Sequence, residues 1–198
     1  MNNYQKSLEL LRDSDFTVKK LVTFNGHEGR GANADIYWKK RKVATFIDEG
    51  NGGEPYVYWH KAKPQGGWGF VDEDGIEDSC KEFIASLPPY SLAERYEDDS
   101  DFAYDWDETP NAWKAKDVID DLVHVAEERR VFKKILRKVC GYKDGSIYTY
   151  KYKKTELERE LKYEGKRMPL RECLAKSGMV CLNLLPETEA FALLRKHG

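Results

Sequence analysis

The 198-residue chain has 33 Lys and Arg residues against 35 Asp and Glu, which gives a net charge of −2. Its 40% hydrophobic and 13% aromatic content excludes a disordered chain, because disordered segments lack the large side chains that offset ordering entropy. No apolar run approaches the ~20 residues that cross a bilayer, and the N-terminus lacks the features of a secretory signal. We therefore expect a cytoplasmic protein without a membrane partner.

The predicted elements of the first third form a small antiparallel meander. A helix is expected over residues 2–13, where apolar side chains recur on one face. Glycine loops at 25–31 and 49–53 lie between segments rich in β-branched and aromatic residues, which favour strands. The predicted strands are 16–24, 33–38, 42–48 and the aromatic segment 56–59.

The rest of the chain is predicted to be mainly helical. Helices are expected at 76–87, 109–140, 154–163, 169–177 and 186–196, and strands at 146–152 and 179–185. The long helix is expected to begin with Thr109 as its cap and Pro110 in the first helical position, and to end before Gly141. The fold class is therefore α+β: a small antiparallel N-terminal sheet packed with several helices, one of them long and near 110–140.

The length suits one compact domain over residues 1–198. A turn-rich stretch at 64–75 could separate a β-rich part, 1–63, from a helix-rich part, 76–198. Both parts are too small for independent cores to be expected.

No residue spacing typical of a catalytic or metal site is present, and no cofactor is expected. The four cysteines are widely separated and form no CxxC pair, so we expect reduced thiols. His27 and Glu28, inside the first glycine loop, are the one neighbouring pair that merits attention as a functional site.

The small net charge hides a strong separation along the chain. Residues 72–108 contain fourteen acids against two bases, whereas residues 129–171 contain fifteen bases against five acids. Such asymmetry bears on partners and association rates rather than on fold.

The acidic stretch 94–108 interleaves carboxylates with aromatic rings. Carboxylates can meet a basic partner while rings supply buried anchors, so this acidic-aromatic segment is expected to bind another protein. The opposite interpretation is a solvated loop whose rings anchor it to the core. The candidate partner-binding residues are Tyr96, Asp98, Asp99, Asp101, Phe102, Tyr104, Asp105 and Trp106.

Basic side chains concentrate on the second half of the predicted long helix and on the strand that follows. Bases interleaved with aromatic residues suit phosphate contacts and base stacking, as in nucleic-acid binding. Alternatively, these bases complement the helix dipole and neutralise the acidic segment within the fold. The candidate nucleic-acid-binding residues are Arg130, Lys133, Lys134, Arg137, Lys138, Lys151 and Lys153.

The hairpin after the first glycine loop carries a sequence pattern of its own. Residues 33–38 read NADIYW, and residues 42–53 read KVATFIDEGNGG. This pattern resembles a hairpin of small uncharacterised proteins of tailed bacteriophages, although the turn here is Lys39-Lys40-Arg41 rather than the usual Asp-Gly type. The resemblance covers the hairpin alone. It implies a phage or prophage origin, and the family has no assigned activity. The hairpin could form a ligand site, or its residues could simply pack into the core.

These observations lead us to expect a non-enzymatic phage accessory protein in the host cytosol. It would bind and modulate a host protein, in host takeover or anti-defence, through the acidic-aromatic segment. A nucleic-acid-binding protein using residues 129–154 is one alternative. An enzyme whose site is assembled from scattered residues, His27 and Glu28 among them, is another.

Overall fold

The computed structural model describes residues 1–62, 68–71, 76–95 and 108–198, with residues 62 and 68–71 described by their backbone. The chain divides into two compact units, Met1–Glu127 and Glu128–Gly198. The sequence places a possible internal boundary at 64–75, whereas this division falls within the long helix.

A five-stranded antiparallel sheet forms the centre of the first unit. Its strands pair in chain order: β1 (Phe16–Asn25), β2 (Arg30–Trp38), β3 (Arg41–Asp48), β4 (Tyr56–Ala62) and β5 (Trp68–Val71). The predicted N-terminal meander is confirmed, with β5 added to it. Lys39 and Lys40 form the β2–β3 turn at φ of 47° and 70°, the left-handed backbone that a tight two-residue hairpin needs.

Helices cover one face of this sheet. They are α1 (Asn3–Arg12), α2 (Asp78–Ser86), the short α3 (Leu92–Arg95) and the first half of α4 (Ala115–Ile135). Alternate residues of β2, such as Ala34 and Ile36, are buried against Leu11 of α1, Cys80 of α2 and Ile119 of α4 in one apolar cluster. Because side chains alternate between the two faces of a strand, Ala34 and Ile36 define the core face of the sheet, and Asn33 and Asp35 belong to its outer face.

The second unit holds a smaller sheet and two helices. Its elements are the end of α4, β6 (Lys138–Lys143), β7 (Ser146–Lys153), β8 (Glu160–Tyr163), β9 (Lys166–Pro169), α5 (Leu170–Lys176), β10 (Val180–Cys181) and α6 (Glu187–His197). The three-stranded sheet has the order β10-β6-β7, and β8 pairs with β9. Short 3-10 turns occupy Lys154–Glu156 and Leu182–Leu184. The α+β prediction is confirmed.

Two predicted helices differ from the structure. The long helix begins at Ala115 and ends at Ile135, because Asn111 pairs with Tyr90 in an isolated β-bridge at one end and β6 pairs with β7 at the other. Arg137 and Lys138 consequently lie beyond the helix. The helix predicted at 154–163 is wrong, since a turn with positive φ at Glu164 and Gly165 closes the β8–β9 hairpin there. No helix in the described part of the chain is long and apolar enough to cross a membrane.

Candidate functional site

The acidic-aromatic segment lies almost wholly outside the described residues. Its candidate residues Tyr96, Asp98, Asp99, Asp101, Phe102, Tyr104, Asp105 and Trp106 are among those not described. At its start, the Glu94 carboxylate accepts hydrogen bonds from the backbone N–H groups of Asn3 and Ser91, each at 3.1 Å. The partner-binding role of this segment stays a prediction.

The basic residues predicted for nucleic-acid binding lead to a cavity in the second unit. It has a volume of about 790 Å³ and is lined by five exposed cations, Lys133, Arg137, Lys138, Lys153 and Lys154. Its apolar wall is formed by Leu136, Leu182, Leu185, Ala190 and Phe191. We call this cavity the basic pocket.

Strand pairing brings the cations of the basic pocket together. Lys138, at the start of β6, is directly opposite Lys153, at the end of β7. The next residue, Lys154, donates its backbone N–H to the carbonyl of Arg137 at 2.8 Å. Two dibasic segments that are distant in sequence thus lie side by side because β6 and β7 are antiparallel.

A buried amide fixes the segment between α4 and β6. Asn183 is 8% exposed, and its side-chain oxygen accepts the backbone N–H of Cys140 at 2.7 Å. Its side-chain nitrogen donates to the carbonyls of Leu136 and Lys138, each at 2.9 Å. The Leu136 carbonyl belongs to the helix end, where such groups lack partners inside the helix. Asn183 therefore ties the helix end and the start of β6 to the wall of the basic pocket.

One carboxylate, Glu187, belongs to the lining, and it is already engaged. Arg129 donates to it at 2.7 Å, and the ammonium nitrogen of Lys133 lies 3.6 Å away. The hydrogen bond from Arg129 lowers the pKa of Glu187 below its ordinary value. Within the described residues, the side chains of the remaining lining cations form no ion pair; they are Arg137, Lys138, Lys153 and Lys154.

The charge of the second unit matches this local picture. Residues 128–198 contain eighteen Lys and Arg against nine Asp and Glu, a net charge of +9, whereas residues 1–127 carry −11. Several acids of the second unit pair with bases outside the pocket lining: Glu156 with Arg159, Glu158 with Arg171, and Glu128 with Arg195. Neutralisation within the unit thus occurs mainly away from the pocket.

Other predicted residues lie apart from the pocket lining. Arg130, Lys134 and Lys151 are exposed but do not line it. Tyr150 and Tyr152 of β7 are half-buried against the cluster around Val139 rather than free to stack on a ligand. Lys154 lies within the predicted basic region 129–154 but was not among its named candidate residues. The sequence reasoning missed the wall residues Leu182, Asn183 and Phe191, for which no local signal was available.

The two glycine loops close on each other at one end of the first sheet. Gly26 donates its N–H to the Gly29 carbonyl at 2.7 Å, and Glu28 donates to the Gly50 carbonyl at 2.9 Å. A Cβ added to Gly26 would lie 2.4 Å from the Gly50 carbonyl oxygen. Close backbone approach accounts for these glycines, and the side chain of His27 in the same loop is exposed. Among the described residues, no group of three or more His, Cys, Asp or Glu side chains is placed to hold a metal ion.

No protein-family model, curated protein or solved structure matches the chain. The resemblance of the 33–53 hairpin to bacteriophage proteins stays a prediction. The function is therefore argued from the residues of the basic pocket themselves.

Proposed function

We propose that the protein binds nucleic acid through the basic pocket of its second unit. The observation that carries this proposal is the group of exposed cations Arg137, Lys138, Lys153 and Lys154 around one cavity, without ion pairs among the described residues. Like charges held side by side repel one another, so a polyanion that contacts all of them gains electrostatic free energy. It also releases condensed counterions from its own backbone.

The shape of the pocket adds to the charge argument. Its volume of about 790 Å³ falls within the range of about 300–1,000 Å³ that ligand pockets span. The exposed cations are suited to phosphates, and the wall residues Leu185 and Phe191, which keep some exposed surface, are suited to the apolar face of a sugar or a base. A purely electrostatic patch would need no such wall.

The proposal is tested by the salt dependence of binding. Fluorescence anisotropy of a labelled oligonucleotide is measured over a series of salt concentrations for the natural protein and for Arg137→Gln/Lys138→Gln/Lys154→Gln. Log K falls linearly with log salt, and each lost phosphate contact reduces the steepness of that fall by about 0.7–0.9. The triple variant is therefore expected to show a slope that is shallower by about 2.

The matched control is Lys162→Gln/Lys166→Gln/Arg167→Gln on the β8–β9 hairpin. These three bases are exposed, lie outside the pocket lining and remove the same charge. An equal loss in both triple variants would show that net charge, rather than the pocket, drives binding. Absence of binding at low salt would overturn the proposal. Full displacement of the oligonucleotide by a slight excess of inorganic pyrophosphate would instead identify a small phosphate ligand.

The expected capture of a host protein by the acidic-aromatic segment remains a separate prediction. It neither supports nor weakens the pocket proposal, because the two use different residues.

A further inference from the structure

The outer face of the five-stranded sheet carries exposed rings in cross-strand rows. Residues directly opposite each other in neighbouring antiparallel strands have side chains on the same face. The strand register gives one row of Val22, Asn33, Ile47 and Tyr56. The next row is Lys19, Asp35, Thr45 and Tyr58. We call the face that bears these rows the outer sheet face.

Several apolar side chains on this face are open to solvent. Tyr56 is 54% exposed, Tyr58 43% and Val22 57%. The rings of Tyr56 and Tyr58 lie nearly parallel, at 23°, with their centroids 6.4 Å apart. These rings stand at positions i and i+2 of β4, so both lie on the same face of the sheet.

The charged groups of this face leave it positive. Asp35 is the one acid in the two rows, and its carboxylate oxygens lie 2.6 Å from Lys42 and 2.9 Å from Lys20. Burial alone raises its pKa, but the hydrogen bonds from Lys42 and Lys20 outweigh burial and lower it below the ordinary value. A third cation, Lys19, lies over the ring of Tyr37, 4.3 Å from its centroid. Lys20 and Lys42 therefore neutralise this carboxylate, and together with Lys19 they give this part of the face more cations than acids.

Exposed rings beside excess cations favour one kind of occupant. Rings stack on flat apolar groups, and every nucleobase has such a face. A duplex keeps its bases paired and inside, whereas a single strand can splay them onto a sheet.

We propose that the outer sheet face is a second binding site, which takes single-stranded nucleic acid. Bases stack on Tyr56 and Tyr58, and phosphates contact Lys19, Lys20 and Lys42. The inference shares its class of ligand with the function proposed for the basic pocket, but it rests on different residues in the other unit of the chain.

The experiment compares single-stranded and duplex oligonucleotides of one sequence by anisotropy. Tyr56→Ala/Tyr58→Ala is expected to weaken single-strand binding by at least about tenfold, since one stacked base contributes roughly 5- to 150-fold. Duplex affinity and the salt slope are expected to stay unchanged. Tyr148→Ala is the control, because Tyr148 is an equally exposed strand tyrosine, at 44%, away from this face. Both positions are exposed, so the folded state is retained, which circular dichroism verifies.

Photo-crosslinking to a 5-iodouridine oligomer locates the contact directly. The tryptic peptide 43–61, which contains both tyrosines, is expected to carry the crosslink. Unchanged single-strand affinity in the double variant, or crosslinks confined to peptides of 128–198, would overturn the second site. If the triple variant of Arg137, Lys138 and Lys154 still binds with a reduced salt dependence in that case, the proposed function of the basic pocket stands alone. If only the tyrosine variant loses affinity, the sheet site stands and the pocket proposal fails.

Discussion

The backbone N–H of Cys140 donates a 2.7 Å hydrogen bond to the side-chain oxygen of Asn183, forty-three residues further along the chain. The same amide donates to the carbonyls of Leu136 and Lys138. One side chain thus satisfies three backbone groups of the segment that leaves α4 and enters β6. This segment also positions Arg137 in the basic pocket.

Replacing Asn183 with Ala is expected to lower the free energy of unfolding by about 3 kcal/mol. The substitution removes three hydrogen bonds, after which the Lys138 carbonyl keeps only the weak donor of the Cys140 thiol at 3.5 Å. Each buried backbone group left unsatisfied costs about 1–3 kcal/mol unless water replaces the amide. Urea denaturation measures the change. Leu184→Ala, in the same 3-10 turn and 59% exposed, is the control and should be nearly neutral. Equal effects of the two substitutions would contradict the role assigned to the amide.

The buried carboxylate of Asp121 is expected to make stability depend on pH. Asp121 is 2% exposed, accepts the Tyr4 hydroxyl at 3.0 Å and lies 3.1 Å from Arg95. Burial raises its pKa from 3.8 to about 6, although Arg95 opposes the shift. Because the pKa in the folded state lies above the unfolded value, this carboxyl favours folding below about pH 4. That contribution is lost as the pH rises through about 6.

The measurement is the difference in unfolding free energy between Asp121→Asn and the natural protein. Between about pH 4 and about pH 7.5 this difference should move by about 3 kcal/mol in favour of the variant, since an amide does not titrate. Comparing two pH values cancels any constant cost of losing the Arg95 contact. The same difference is measured for Asp144→Asn, in the exposed β6–β7 turn, as the control substitution. A flat difference for Asp121→Asn would refute the raised pKa.

The glycine loops give a prediction about backbone geometry. Gly50 has φ of +64°, and a Cβ there would lie 2.7 Å from the backbone nitrogen of Gly31. Gly50→Ala is therefore expected to destabilise the protein by about 2 kcal/mol through strain and crowding. Gly29→Ala is the matched control, because a Cβ at Gly29 meets no atom within 4 Å. Thermal denaturation of both variants tests this, and a tolerated Gly50→Ala would mean that the loops do not need to approach so closely.

The acidic-aromatic segment gives a prediction about partners. Changing Asp98, Asp99, Asp101 and Asp105 to Lys is expected to abolish capture of a host protein from a bacterial lysate, because the carboxylates would face a basic surface. The control reverses four acids elsewhere: Asp13, Glu49, Glu160 and Glu164. Quantitative mass spectrometry of the captured proteins compares the two. Capture that survives the first set of changes would remove the segment as a binding surface.

The sequence predicted well those elements whose signal is local. The β-branched and aromatic content between the glycine loops predicted a strand at 33–38, within β2, and the prolines at 169 and 186 marked the starts of α5 and α6. The β8–β9 hairpin was missed because its residues are mostly charged and the alternation in β8 spans only the four residues Glu160–Tyr163. The hairpin is held by the turn at Glu164 and Gly165 and by the packing of Leu161 against the apolar cluster around Val139.

The candidate site was predicted only in part, since its geometry depends on contacts between distant residues. Lys133, Arg137, Lys138 and Lys153 were identified by their charge, but they were placed on a helix and a separate strand. Their convergence depends on the pairing of β6 with β7, and the wall depends on residues within 182–191, which were predicted as the end of a strand and the start of a helix. The rows of the outer sheet face likewise require the strand register, which no single segment encodes.

The opposite charges of the two units, −11 and +9, make the chain a block polyampholyte whose net charge of −2 is a poor guide to its behaviour. At neutral pH and low ionic strength it should adhere to both anion- and cation-exchange resins. The acidic block of one molecule should also attract the basic block of another. This attraction fades once the Debye length falls to about 10 Å, near 0.1 M salt. Below that concentration, neighbouring copies compete with nucleic acid for the same cations, so apparent affinity should fall as protein concentration rises.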